Sequence, residues 1–142
     1  MKNIEQIERQ VKEAFTGTKS GEFRPCAYFD ERLDCIRVIT RDCSVLETRI
    51  NPVLTLLEDN YYPQSGGQRY VGFTIKGASH FCYEHGISLS APVNISKLLD
   101  VIAAMFPETL VQLAVDGVAK PIVQKDPAIE NVDISSALPE PA

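Results

Sequence analysis

Residues 34–76, DCIRVITRDCSVLETRINPVLTLLEDNYYPQSGGQRYVGFTIK, decide the fold class. Four stretches in it carry strand character, separated by turn residues: Asp34 to Arg41, Ser44 to Ile50, Val53 to Glu58 and Tyr70 to Lys76. The first two alternate and are rich in β-branched residues, which suit a half-buried pleated surface. Asn51-Pro52 breaks the chain between the second and third. The third, VLTLLE, also admits a short helix with Asn51 as N-cap and Pro52 at the first helical position. An apolar run between turn signals with YVGFTIK as an evident partner favours a strand. The joining loop, DNYYPQSGGQR, is long for a hairpin and holds two adjacent tyrosines and a glycine pair.

Register follows from parity. If Ile36 and Val38 point inward with Leu46 and Ile50, the first two strands form a hairpin through a three-residue loop, Arg41-Asp42-Cys43. Arg37 then faces Glu47 in an exposed cross-strand pair, and Ile39 faces Val45 on the outer side.

Outward from this block, PCAYFD (25–30) reads as a further strand, turned at Glu31-Arg32-Leu33. At the N-terminus, Ile4, Ile7, Val11, Ala14 and Phe15 recur at three- and four-residue spacing, the stripe of an amphipathic helix ended by Thr16-Gly17. Beyond Gly77, ASHFCYEH reads as a short helix stopped by Gly86. Asn94 caps a second helix with the stripe Ile95, Leu98, Leu99, Ile102 and Phe106, ended by Pro107. Asp116-Gly117, flanked by Leu110 to Val115 and Val118 to Val123, predicts a hairpin, with Pro121 marking an edge strand. Together these predict the α+β class: a mainly antiparallel sheet of five to seven strands, with an N-terminal helix and two further helices packed on it.

The 142 residues suit one domain, taken as 1–125, followed by an acidic, proline-containing tail, 126–142, that is flexible or laid on a partner. Formal net charge is −5, but four of the nineteen acids lie in that tail. The body is nearly neutral, with no global field to steer a polyanion. Arg32, Arg37, Arg41, Arg49 and Arg69 are interleaved with Asp34, Asp42, Glu47, Glu58 and Asp59, so they read as ion pairs and not as a nucleic-acid patch. No apolar run reaches membrane-spanning length, which gives the expectation of no membrane partner. The opening, MKNIEQIERQVKEAF, lacks a signal-peptide core, so the expectation is a cytoplasmic chain with reduced thiols at Cys26, Cys35, Cys43 and Cys82.

Chemistry-bearing patterns are few. His80, Cys82, Glu84 and His85 cluster in SHFCYEHG; Cys82 and His85 share a helix face and suit two zinc ligands, but no Cys-x2-Cys pair supplies the others. A helix with Phe81 and Cys82 turned to the core and the histidines to solvent explains the same residues. A thiol nucleophile would need a base such as His85 beside it. Glu58-Asp59 stands at the mouth of the tyrosine loop, where Glu58, like Glu84, would serve as an acid–base group. Lys76-Gly77-Ala78-Ser79 runs from strand to helix without a phosphate-loop spacing.

The remaining signal is surface apolarity. Ile39 and Val45, flanked by Arg37 and Arg49 and within reach of Tyr61 and Tyr62, have the composition of a protein interface. The competing account is that the N-terminal helix covers this face. The expected function is a small binding protein, homodimeric or engaging another protein or a small ligand through Arg37, Ile39, Val45, Arg49, Tyr61 and Tyr62. It is expected to carry no cofactor and not to be an enzyme. The alternative is a metal-binding or thiol enzyme centred on His80, Cys82 and His85.

Overall fold

A computed structural model describes residues 4–5 and 23–138. Five strands, β1 (Cys26–Asp30), β2 (Cys35–Ile39), β3 (Val45–Arg49), β4 (Leu54–Asp59) and β5 (Tyr70–Lys76), form one antiparallel sheet in the order β1-β2-β5-β4-β3. Three helical segments follow: α1 (Ala78–Glu84), α2 (Ile95–Met105), and α3, which runs from Thr109–Ala114 through a π-helical Val115–Ala119 into Lys120–Gln124. Two-residue strands β6 (Val93–Asn94) and β7 (Asn131–Val132) make a separate small ladder. The class is therefore α+β. The helix expected over the first fifteen residues lies, but for Ile4 and Glu5, outside the described residues.

All four strands of the opening stretch form where their composition places them, VLTLLE included. Their pairing differs from the expected hairpin. β2 pairs with β5, β3 pairs with β4, and β2 and β3 are not neighbours. Burial explains this. β5 is buried at every position but its ends, whereas β3 is exposed at Leu46, Glu47, Thr48 and Arg49. A simple meander would place polar β3 in the middle of the sheet and apolar β5 at its edge. The observed order does the reverse, which puts the apolar strand where both its faces and both its edges are covered. Residues 40–44 need only cross the ends of two strands, roughly 14 Å at the usual inter-strand spacing, within the reach of five extended residues.

One face of the sheet carries Ala27, Phe29, Ile36, Val38, Leu54, Leu56, Phe73 and Ile75, and packs on the helices through Phe81, Cys82, Leu98, Leu99, Ile102, Val115 and Ile122. Gly72 sits where β5 and β2 approach most closely: a Cβ there would lie 2.1 Å from the Val38 carbonyl oxygen. At the other end, Asp34 holds a left-handed φ of 48° in the β1–β2 turn. Its carbonyl accepts the Ala78 amide at 2.9 Å and its Oδ1 accepts the Ser79 amide at 2.9 Å. Asp34 thus caps α1 from a distant turn, where Gly77 offers no side chain to do so.

The expected hairpin at Asp116-Gly117 is instead helix α3. Val111, Ala114, Val115, Ala119, Ile122 and Val123 are buried, a three- and four-residue spacing that a strand pair cannot present to one core. Pro121 is accommodated without breaking the helix because the preceding turn widens: the Lys120 amide bonds to the Val115 carbonyl five residues back. The Asn94 cap holds as expected, its Oδ1 accepting the Lys97 amide at 2.9 Å. The segment after Asp126, read as flexible or laid on a partner, packs on its own chain as far as it is described. Ile129, Val132 and Ile134 are buried, and β7 pairs with β6.

Candidate interaction surface at the β3 edge

The second face of the sheet carries Arg37 and Ile39 on β2, Gly72 and Thr74 on β5, Thr55 and Leu57 on β4, and Val45, Glu47 and Arg49 on β3, as the register requires. The sequence predicts either an open face or one covered by the N-terminal helix. Its centre is not open: Leu57, Thr55 and Thr74 are buried and Ile39 is half-buried. Ile39 and Val45, expected to face each other, are separated by β5 and β4. Arg37 and Glu47 do approach, at 3.7 Å, but as long side chains reaching across two strands. The pair is exposed on the Glu47 side and adds a few tenths of a kcal/mol at most, about the usual value for surface pairs.

The open part is β3. Its hydrogen bonds to β4 are made by alternate residues, as the bonds from Asn60 N to Ser44 O (2.9 Å) and from Ile50 N to Leu54 O (2.9 Å) fix the phase. Ser44, Leu46, Thr48 and Ile50 therefore turn their backbone groups inward. Val45, Glu47 and Arg49 turn theirs outward, where no strand pairs with them among the described residues. Leu46 is 52 % exposed on the margin of the core face, a large apolar residue on an open edge that parity alone placed inside. At the opposite end of the sheet β1 likewise has one strand neighbour, β2, and lies near β7 and the turn Pro127–Ile129.

The tyrosine loop adjoins the Val45 end of this edge. Asn60 bonds to Ser44 through both its backbone and, at 3.4 Å, its side chain. Asp59, almost fully buried, organises the loop: Oδ1 accepts the Tyr61 amide at 2.9 Å, and Oδ2 pairs with the Arg41 guanidinium at 3.1 Å. The Tyr61 amide first, and with it the Arg41 charge, hold its carboxyl below the ordinary range although burial opposes this. Arg41 in turn packs on Gly67, where a Cβ would collide with its guanidinium. Tyr61 and Tyr62 are left exposed, with a cis bond between Tyr62 and Pro63. Of the residues singled out in sequence, Val45, Arg49, Tyr61 and Tyr62 are thus gathered at this side of the molecule. Arg37 and Ile39 lie across the sheet.

The His80 cluster is differently built. Cys82 is fully buried against the core, and burial, with a smaller push from the Asp34 charge, raises its thiol to about 11. Such a thiol stays protonated and is no nucleophile near neutrality. The His85 ring packs against Phe81 at 4.3 Å, while His80 and Glu84 face a shallow cleft of about 370 Å³ bordered by Ala137. Among the described residues no three His, Cys, Asp or Glu side chains are placed to hold a metal ion. Nor is any helix among them long and apolar enough to cross a membrane. Glu58 is tied to Arg69 at 2.9 Å at the loop mouth.

No protein-family model matches this chain, and no match is found among curated proteins or solved structures.

Proposed function

We propose that this is a self-associating interaction protein that engages its partner chain through the β3 edge and the adjoining Tyr61-Tyr62 loop. One observation carries the reading: among the described residues, β3 leaves the outward backbone groups of Val45, Glu47 and Arg49 without a strand partner and exposes Leu46 beside them. Open edges of this kind are templates for strand addition, and native chains ordinarily blunt or cover them. Exposed tyrosines, an arginine and an exposed leucine along one edge are residue types enriched at interfaces.

The test is Leu46→Lys. Position 46 stands opposite Glu58, so a lysine is tolerated by the fold while it blunts the edge. The expected outcome is a folded monomer where the native chain associates, read by sedimentation and circular dichroism. A Leu46→Lys chain that associates as the native one does refutes the surface.

A further inference from the structure

Resting on that reading, we infer that the partner is a second copy of this chain, and that β3 pairs antiparallel with the partner's β3 about a two-fold axis at Thr48. The chain itself distinguishes the possible registers. Only the odd-numbered residues of β3 present backbone groups outward, so a two-fold pairing centres on Leu46, Glu47 or Thr48. Centring on Glu47 sets two carboxylates opposite each other at the axis, which is repulsive. Centring on Leu46 sets Val45 against the partner's Glu47 and leaves Arg49 beyond the strand, opposite the partner's Cys43. Centring on Thr48 sets Glu47 against the partner's Arg49 and Arg49 against the partner's Glu47. Both are opposite-charge pairs on the second face, and each exchanges backbone hydrogen bonds. On the core face the same register lays Leu46, 52 % exposed, against the partner's half-buried Ile50, and stacks Thr48 on its own copy. One register therefore satisfies charge, backbone and apolar surface together, and it yields a continuous sheet across the dimer. Arg49 has no ion-pair partner among the described residues, and Glu47 has only the long contact from Arg37, so both charges are available.

The experiment is a charge exchange. Sedimentation equilibrium is run on the native chain, Glu47→Arg, Arg49→Glu and the double variant, with urea unfolding confirming that each is folded. By symmetry each single change turns both attractive pairs repulsive, so the dissociation constant should rise about tenfold or more, and the double variant should regain native association. If the charge variants misfold, Glu47→Pro removes only an outward amide and should give a folded monomer. Association indifferent to the charge changes and to Glu47→Pro, yet lost in Leu46→Lys, overturns the register while the surface stands. A native chain that is monomeric throughout overturns both. So does association abolished by Leu113→Asp and not by β3 changes, because Leu110 and Leu113 form a separate exposed patch on α3.

Discussion

Asp34→Ala should cost about 2–3 kcal/mol of stability, although Asp34 is a half-buried turn residue far in sequence from the helix it serves. Two effects add. Its carboxylate oxygen accepts the Ser79 amide at 2.9 Å and satisfies a first-turn donor of α1 that nothing local caps. Loss of such a cap costs about 1 kcal/mol, with a range of roughly 0.5–2. The residue also holds φ at 48°, a region aspartate tolerates and alanine does not, for about a further 1–2 kcal/mol. The two terms separate by substitution. Asp34→Gly loses the cap but relieves the backbone, so its loss should be about 1 kcal/mol. Asp34→Asn keeps the acceptor and the left-handed tolerance and should lose less still. Urea unfolding reads the series; the alanine variant should shift the midpoint by about 1 M at ordinary slopes for small proteins. The order Asn, Gly, Ala is the substance of the prediction. An alanine variant within about 0.5 kcal/mol of native, or a glycine variant below alanine, would refute the capping account.

Gly72→Ala should destabilise by about 2–3 kcal/mol, because the added Cβ meets the Val38 carbonyl oxygen, which belongs to backbone and cannot swing aside; native stability in this variant would show that β2 and β5 do not approach so closely. The Asp59 carboxyl is held below its ordinary value of 3.8, so its contribution is complete above that pH and is lost as pH falls through the lower folded value. Asp59→Asn should therefore be less stable than the native chain at neutral pH, with the deficit shrinking under acid; a deficit constant in pH would contradict this. Cys82, buried with its thiol near 11, should resist alkylation until the protein unfolds, while half-buried Cys26 and Cys43 react first. Peptide mapping after a timed iodoacetamide pulse decides it, and early labelling of Cys82 would reopen a thiol role.

Strand positions were legible because β-branched and apolar runs between turn residues have few other uses in a chain this short. The pairing of β4 with β5 was legible too; the separation of β2 from β3 was not, because hairpin reasoning ranks partners by nearness in sequence. The deciding signal was present: EFR-flanked β1 and polar VLETR both suit edges, while the near-continuous apolar run of YVGFTI demands the centre. The Asp116-Gly117 reading failed for a related reason. A two-residue turn signal is weaker than the spacing of Val111, Ala114, Val115, Ala119 and Ile122, which belongs to a helix, and a widened turn accepts Pro121 without a strand edge. At the candidate surface, composition alone points to Val45, Arg49 and the tyrosines. Leu46 was missed, since parity assigns a residue to a face but does not say whether anything covers that face at an edge. The capping role of Asp34 spans 45 positions and has no local signature at all.

Amide hydrogen exchange of the β3 residues as a function of protein concentration tests most directly whether β3 is a pairing edge. The Leu46 and Thr48 amides bond within the chain and should be protected at every concentration. Those of Glu47 and Arg49 point outward, and they should exchange freely in dilute protein and become protected as concentration rises. Free exchange at Glu47 and Arg49 at all concentrations, with association nonetheless measurable, would show that the partner binds elsewhere.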